Sequence, residues 1–226
     1  MQDEILKHTE KIYKTVKNPQ HSFGEKVKEV LMEIFIIVFA VTLSIWLHSW
    51  SEHNHQKKEA REFLRDIQDE LAIDLKSMKE KRASLDTVFN SSVQLLDSTN
   101  VKVLTGKISI NFSLTTFKAN DGNYQGFKSS GKIGYIENKE LKKKILSYYE
   151  NELPALYDVD KYQYEKQLEV WELINSLGKK EFFTDPTFRA KLTLDAQITE
   201  ALIKSYSSVI DDATEIDKEI TKELAN

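Results

Sequence analysis

The first long hydrophobic stretch of the chain, from Val30 to Leu47, is apolar on every side of a helix, and its one charged residue is Glu33. An α-helix of this length rises about 27 Å, close to the roughly 30 Å hydrocarbon thickness of a bilayer. A buried helix of a soluble domain would need equally apolar partner helices, and no other part of the sequence supplies them. The pattern therefore predicts a transmembrane helix within residues 23–50.

Both flanks of this stretch carry residues that are typical of membrane interfaces. Trp46 and Trp50 lie one helical turn apart, where aromatic side chains anchor a span at the headgroup level. Roughly 28 residues precede the stretch and no small-x-small cleavage site follows it, which favours an uncleaved signal anchor over a cleaved signal peptide. Six lysines precede the stretch, whereas residues 51–70 contain four Lys or Arg. This bias favours a cytoplasmic amino terminus.

Three segments follow from this placement. Residues 1–22 carry an apolar stripe opposite lysines and are expected to form a short cytoplasmic amphipathic segment on the membrane surface, with a frayed polar tail as the alternative. Residues 23–50 form the transmembrane helix, which begins near Phe23. Residues 51–226 form an extracytoplasmic domain, which is periplasmic if the membrane is a bacterial inner membrane.

Beyond Trp50 the spacing of apolar residues becomes helical. No helix breaker appears before about Asn100, which predicts a stalk helix continuous with the span and facing either a sister chain or later helices. Its stripe consists of Leu64, Ile67, Leu71, Met78, Leu85, Phe89 and Leu96. Residues 107–115 then alternate, with Ile108, Ile110, Phe112 and Leu114 on the apolar side, as a half-buried strand would, although no partner strand is evident.

Helical spacing resumes after residue 135. Asn138 is expected to cap a helix that Pro154 ends, and a second helix is expected from about Ala155 to Leu177, with Gly178 as its stop. Its apolar side contains Tyr157, Tyr164, Leu168, Trp171 and Ile174. Asp185 and Pro186 open a last helix, which can lie antiparallel along the stalk. Its stripe contains Leu194, Ile198, Leu202, Val209, Ile216, Ile220 and Leu224. The predicted fold is mainly α, a helical bundle behind one anchor with at most a short strand or hairpin.

Composition narrows the functional classes. The 226 residues include seven glycines and three prolines, as in proteins built of long helices. The chain has no cysteine, which excludes disulfides, thiolate zinc sites and cysteine nucleophiles. Charged residues make up 30% of the chain but the net charge is −4, so no basic footprint for nucleic acid is present.

Glu33 needs an explanation, because an ionised carboxylate inside a span costs about 1 to 3 kcal/mol. Residues 33, 40 and 44 fall within about 20° of one line on a helix. One face therefore carries Glu33 together with a pair of small residues, Ala40 and Ser44, that lets two helices approach closely. Three roles are open: self-association of the span, an interfacial glutamate in the headgroup layer, and a proton relay that would need a partner subunit.

Two stretches of the sequence resemble a known family. In the first, Glu33, Trp50 and Glu52 hold the same places as in an uncharacterised single-pass membrane protein family of Bacteroidota. The second stretch lies within residues 123–150 and resembles that family at Tyr124, Ser130, Gly131, Ile136, Asn138, Leu141, Tyr148 and Tyr149. Trp46 and His48 depart from it, since the family tends to have amides there. The family has no assigned activity, so the resemblance implies placement and shape and leaves the chemistry open.

Residues 118–135 form the main irregular segment and contain four of the seven glycines. GFKSSGK, residues 126–132, has phosphate-loop spacing, but Ile133 stands where Ser or Thr must bind magnesium. DGNYQG, which begins at Asp121, opens like a calcium loop whose twelfth position, Lys132, replaces the bidentate glutamate. A tight turn at Ser130 and Gly131 explains both patterns better. The segment is the candidate ligand or partner loop, with Tyr124, Phe127, Ser130 and Gly131 as its residues.

Catalytic and metal chemistry find little support in the sequence. His48, Glu52 and His55 share a helical face that could bind zinc, but three exposed polar residues near a membrane surface are the commoner explanation. No nucleophile elbow or triad is evident, so we expect neither enzymatic activity nor a cofactor.

Three functional hypotheses remain. The first is a self-associating scaffold or accessory subunit of a bacterial envelope complex, which contacts membrane lipid, further copies of itself and other inner-membrane subunits. The second is a ligand-sensing extracytoplasmic receptor domain. The third is a subunit that assists a proton-driven membrane assembly through Glu33.

Overall fold

The computed structural model describes residues 6–7, 9–10, 13–14, 23–97, 110–177 and 185–225. From residue 23 onward the α-helices are α1 (Phe23–Asp97), α2 (Gly122–Ser129), α3 (Lys139–Ser147), α4 (Leu153–Ser176) and α5 (Pro186–Ala225), with a 3-10 helix at Lys132–Tyr135 and a π-helix at Tyr148–Glu152. These residues contain no β-strand. The predicted fold class, a long apolar amino-terminal helix followed by a helical bundle, is confirmed.

The chain divides into two compact units, Met1–Lys58 and Glu59–Asn226. In the first unit the apolar side chains of α1 are exposed on every face, as Phe35 (66%) and Trp46 (61%) illustrate. Only 6% of its most apolar window is buried. The core helix of a soluble domain would bury most of such a window. Among the described residues, α1 is the one helix long and apolar enough to cross a membrane.

In the second unit, α5 lies antiparallel to the later part of α1, as the sequence suggested. Near one end of the pair, Arg61 Nη2 donates a 2.5 Å hydrogen bond to the carbonyl of Leu224. Near the other end, Arg189 Nη2 donates to the carbonyl of Leu96 at 2.8 Å. Each bond satisfies a carbonyl at the end of a helix, where the intrahelical partner is missing.

The core of this unit is divided into two apolar clusters. The larger contains Leu71 and Met78 of α1 and Leu202 and Ile216 of α5. The smaller is built on Leu95, Val170, Phe188 and Leu192. Along α1, α4 and α5, the residues between the two clusters include buried polar ones, namely Ser91, Ser92, Asp160, Gln163, Gln167, Asp195 and Thr199.

The helix starts predicted at Asn138 and Asp185 are confirmed, but the break predicted at Pro154, before a helix starting at about Ala155, is wrong. Asn138 caps α3 by accepting a 3.1 Å bond from the backbone N–H of Leu141. Asp185 caps α5 in the same way. Pro154 does not end a helix, because the π-helix before it joins α3 directly to α4. A π-turn changes the local backbone hydrogen bonding where proline lacks its N–H and would crowd an earlier carbonyl. Gly178, the expected stop of α4, lies outside the described residues.

The strand predicted over residues 107–115 is not formed in its described part. Residues 110–121 have no regular structure and are called the strap below. The predicted apolar side is correct only in part. Ile110 and Phe112 are half-buried and pack against the smaller cluster, whereas Leu114 is 38% exposed and Ser113 is 6% exposed. Residues 107–109 lie outside the described residues.

The predicted buried faces of α4 and α5 need a similar correction. On α4, Trp171 is 44% exposed, and the buried face contains Leu153, Leu156, Asp160, Gln163, Gln167 and Val170. On α5, Leu194 is 43% exposed, while Asp195 and Thr199 are buried. Both predictions followed apolar spacing, whereas the helices turn polar side chains inward where they bind the strap and each other.

Candidate functional site

The strap lies against α1 and α4, and side chains of these helices take the place of a partner strand. The backbone N–H groups of three strap residues, Ser113, Phe117 and Ala119, donate to Gln167 Oε1 (2.8 Å), Asp160 Oδ2 (2.7 Å) and Tyr157 OH (2.9 Å). Towards α1, the N–H of Asn111 donates to Ser91 Oγ (3.2 Å) and that of Asn120 to Asp74 Oδ2 (3.0 Å). Buried backbone groups need such partners, and this requirement explains why α1 and α4 carry polar residues on their inner faces.

A buried ion pair lies beneath the strap. Lys81 Nζ of α1 is 3.5 Å from Asp160 Oδ1, and the two side chains are 8% and 1% exposed. Lys81 also donates to Ser113 Oγ at 3.0 Å and to the carbonyl of Thr115. Tyr206 OH of α5 donates to Asp160 Oδ2 at 3.0 Å. This group therefore ties α1, α4, α5 and the strap together.

Burial and the ion pair shift the pKa of Lys81 in opposite directions. Burial lowers the pKa of Lys81 below its ordinary value, and the Asp160 carboxylate partly offsets that effect. The pKa of Tyr206 is raised, first by burial and then by Asp160. Since each group is engaged in holding the strap, the arrangement is structural in character and offers no accessible nucleophile or base.

Asp195 is a second buried acid. It is 2% exposed, and burial raises its pKa to about 7. The 3.3 Å bond from Gln163 Nε2 to Thr199 Oγ1 sets the register of α4 against α5 and places Gln167 level with Asp195. Asp195 Oδ1 and Gln167 Nε2 both lack a hydrogen-bond partner among the described residues. Two buried polar atoms without a described partner therefore lie at this level of the bundle.

The candidate loop folds into α2 and the 3-10 helix, and it buries one of the residues that the sequence singled out. Tyr124 is fully buried, stacks on Tyr149 at a 4.2 Å centroid distance and donates a 2.7 Å bond to Glu150 Oε1. Lys128 Nζ pairs with the same oxygen at 2.6 Å. Lys128, followed by Tyr124, lowers the pKa of Glu150. Tyr124 therefore anchors α2 to the bundle.

Phe127 and Ser130 line an open groove of about 430 Å³ between α1 and α2. The ring of Phe127 stacks on that of Phe63, with centroids 3.9 Å apart and planes 5° from parallel. Carboxylates of Glu59, Glu62 and Asp66 lie along the α1 wall. Lys132 is on the opposite wall, and its Nζ is 2.8 Å from Glu59 Oε1. The groove thus combines an aromatic floor with an acidic rim.

Gly131 forms the turn that the sequence predicted. Its φ is 75°, the left-handed region, and its N–H donates to the carbonyl of Lys128 at 2.9 Å. Ser130 Oγ donates to the carbonyl of Phe127 at 2.9 Å. The phosphate-loop pattern is therefore a helix end followed by a glycine turn.

A substitution at Gly131 tests whether the positive φ at this position requires glycine. We expect Gly131→Ala to lower the free energy of unfolding by about 1 kcal/mol, because a Cβ is strained at positive φ. Gly134→Ala is the matched control, since Gly134 lacks a positive φ and a Cβ at either position would meet no described atom within 4 Å. Chemical denaturation of both variants measures the difference. Equal stabilities would contradict the explanation.

The residues predicted for the membrane helix all lie in the first unit. Glu33 is 6% exposed, Ala40 is exposed and Ser44 is half-buried. Trp50 is 58% exposed. His48, Glu52 and His55 form no metal site, since the described residues include no group of three His, Cys, Asp or Glu that could hold a metal ion.

Comparison with known protein families identifies one that matches this chain. The model of a family of unknown function, DUF6090, matches residues 33–203, about three quarters of the chain. The chain belongs to this family. No curated protein and no solved structure matches it significantly. The DUF6090 match begins at Glu33 and covers most of the apolar stretch, the strap, the groove and the buried ion pair.

Two sets of site residues in this DUF6090 member escaped the sequence analysis. The first is the buried pair Lys81 and Asp160. The sequence feature that could have indicated it is the position of Lys81, a polar residue within the otherwise regular apolar stripe of α1. The second is the acidic α1 wall of the groove. Its signal was the spacing of Glu59, Glu62 and Asp66, which places them along one face of a helix.

Proposed function

We propose that this protein is a non-enzymatic, single-pass membrane protein that serves as a self-associating scaffold or accessory subunit of an envelope complex. The observation that carries the proposal is the exposure of apolar side chains on every face of α1 between residues 31 and 50. Lipid is the solvent that such a surface requires. A structural role fits the bundle, because several of its buried polar groups, such as Asp160 and Lys81, fasten the strap.

The placement of the two ends belongs to the same proposal. The lysine bias favours an amino terminus in the cytoplasm and residues 51–226 outside it. The resemblance to a Bacteroidota membrane family favours the bacterial inner membrane, with a periplasmic bundle. Ala40 and Ser44 are small and lie on the same helical face as Glu33, so this face is the expected contact between spans.

Self-association can be measured on the full chain in a mild detergent. We expect a dimer or a higher oligomer by mass determination, and Ala40→Ile should raise the dissociation constant about tenfold, equal to about 1.4 kcal/mol. Thr42→Ile is the matched control, because Thr42 lies on another side of the helix and donates to the carbonyl of Val38 in its own chain.

Two results would contradict the scaffold role. One is a monomer at every protein concentration tested, and the other is an equal effect of Ala40→Ile and Thr42→Ile. Glu33→Gln distinguishes the scaffold role from the proton-linked role, since a scaffold should assemble and work with glutamine at this position. Loss of function in a protein that still assembles would favour the proton-linked role.

A further inference from the structure

The groove between α1 and α2 has a composition that the fold itself does not explain. Its α2 wall contains Gly122 and Gly126, which lie four residues apart on one side of an eight-residue helix. Neither has a positive φ. A Cβ at either position would meet no described atom within 4 Å. Neither backbone conformation nor packing therefore requires glycine.

Glycine is unfavourable in a helix compared with alanine. Two glycines on the groove side of α2 consequently weaken the helix without benefit to the packing around them. What they do provide is space, because their missing side chains leave the groove open along the wall that faces the carboxylates. The floor beside them is the stacked pair Phe63 and Phe127.

The charge of the groove indicates what could enter it. Its lining contains three carboxylates and one lysine, which leaves a net charge of −2. Next along α1, burial raises the pKa of Glu70, and carboxylates including Asp74, Asp121 and Asp66 raise it further. A cation in the groove would relieve this crowding of negative charge.

We propose that this groove is a docking site for a basic segment of a partner protein, which inserts an arginine or lysine side chain between α1 and α2. The methylene stem would lie on the apolar floor beside Phe127, and the charged end would reach Asp66 and Glu62. The groove is shallow and open, whereas sites for free small molecules enclose most of the ligand surface. The inference rests on the proposed role as an accessory subunit, because it requires a partner protein.

The test uses the full chain in a mild detergent and an acetylated, amidated tetra-arginine peptide as the probe, titrated by calorimetry at low salt. We expect Asp66→Lys to weaken binding at least tenfold. Asp69→Lys is the matched control, because Asp69 is also exposed on α1 but does not line the groove. It should change binding less than threefold.

A second variant tests the space instead of the charge. Gly126→Leu leaves the charges unchanged and fills the groove, so we expect at least fivefold weaker binding with no fall in melting temperature. The proposal is overturned if Asp69→Lys weakens binding as much as Asp66→Lys, if Gly126→Leu has no effect, or if tetra-glutamate binds as well as tetra-arginine. The mass determination described above tests self-association separately, so the two failures are distinguishable.

Discussion

Replacing Asp160 with alanine is expected to lower the free energy of unfolding by about 3 to 5 kcal/mol, because it leaves Lys81 buried without its counter-ion. The same change removes the acceptor of the Phe117 N–H and of the Tyr206 hydroxyl. Chemical denaturation of the full chain in detergent, followed by circular dichroism, measures the loss. The strap should also exchange its amide protons faster in this variant.

Two controls separate the buried pair from a general effect of removing a carboxylate. Asp158→Ala changes an exposed aspartate on the same helix and should alter stability by no more than about 0.5 kcal/mol. The double variant Lys81→Met with Asp160→Leu removes both charges and should recover part of the loss, since apolar replacements of a buried pair are often tolerated. A loss below about 1 kcal/mol for Asp160→Ala would contradict the structural role of the pair.

Asp195 should make the bundle more stable in mild acid than at neutral pH. Its pKa is about 7 in the folded protein and 3.8 in the unfolded chain. Between these values the unfolded chain loses its proton while the folded protein keeps it. The free energy of unfolding therefore falls as the pH rises from about 4 to about 7, by at most about 4 kcal/mol.

The variant Asp195→Asn isolates this contribution, because an amide mimics the protonated acid. We expect a higher free energy of unfolding than in the unchanged protein at pH 8 and a smaller fall between pH 4.5 and pH 8. Glu70, Asp74 and Glu152 also have raised pKa values. Their contribution to the pH dependence of the free energy of unfolding is the same in the unchanged protein and in the variant. Asp211→Asn alters an exposed acid of α5 and should leave the profile as it is. Identical profiles for all three proteins would contradict the assignment.

The main helices could be predicted because their signals are local. The start of α1 and the caps at Asn138 and Asp185 depend on a few neighbouring residues and on regular apolar spacing. The gaps in the apolar stripe of α1 were also informative. The predicted stripe of α1 skips a turn between Leu71 and Met78 and again between Met78 and Leu85. Asp74 and Lys81 fill these two gaps, and both are buried.

The strap and the inner faces of α4 and α5 could not be predicted in the same way. The alternation in residues 107–115 suggested a strand, but hydrogen-bond partners supplied by distant side chains such as Gln167 and Asp160 leave no local pattern. Apolar spacing likewise selected Trp171 and Leu194, which are exposed. A polar residue on an inner face becomes understandable only when its partner across the bundle is known.

The candidate loop was predicted in part. Phe127 and Ser130 line the groove, whereas Tyr124 lies beneath it as an anchor. The acidic wall on α1 lies about 60 residues earlier in the sequence, so the loop alone could not indicate the charge of the groove.

The central claim is that lipid surrounds the apolar part of α1, and the absence of cysteine from the chain allows a direct test. Val38→Cys and Ser129→Cys each place one thiol at an exposed position. In intact native membranes, a water-soluble maleimide that reaches both sides should label residue 129 and leave residue 38 unlabelled until the protein is denatured. Equal labelling at the two positions would show that water surrounds this part of the helix and would contradict the account.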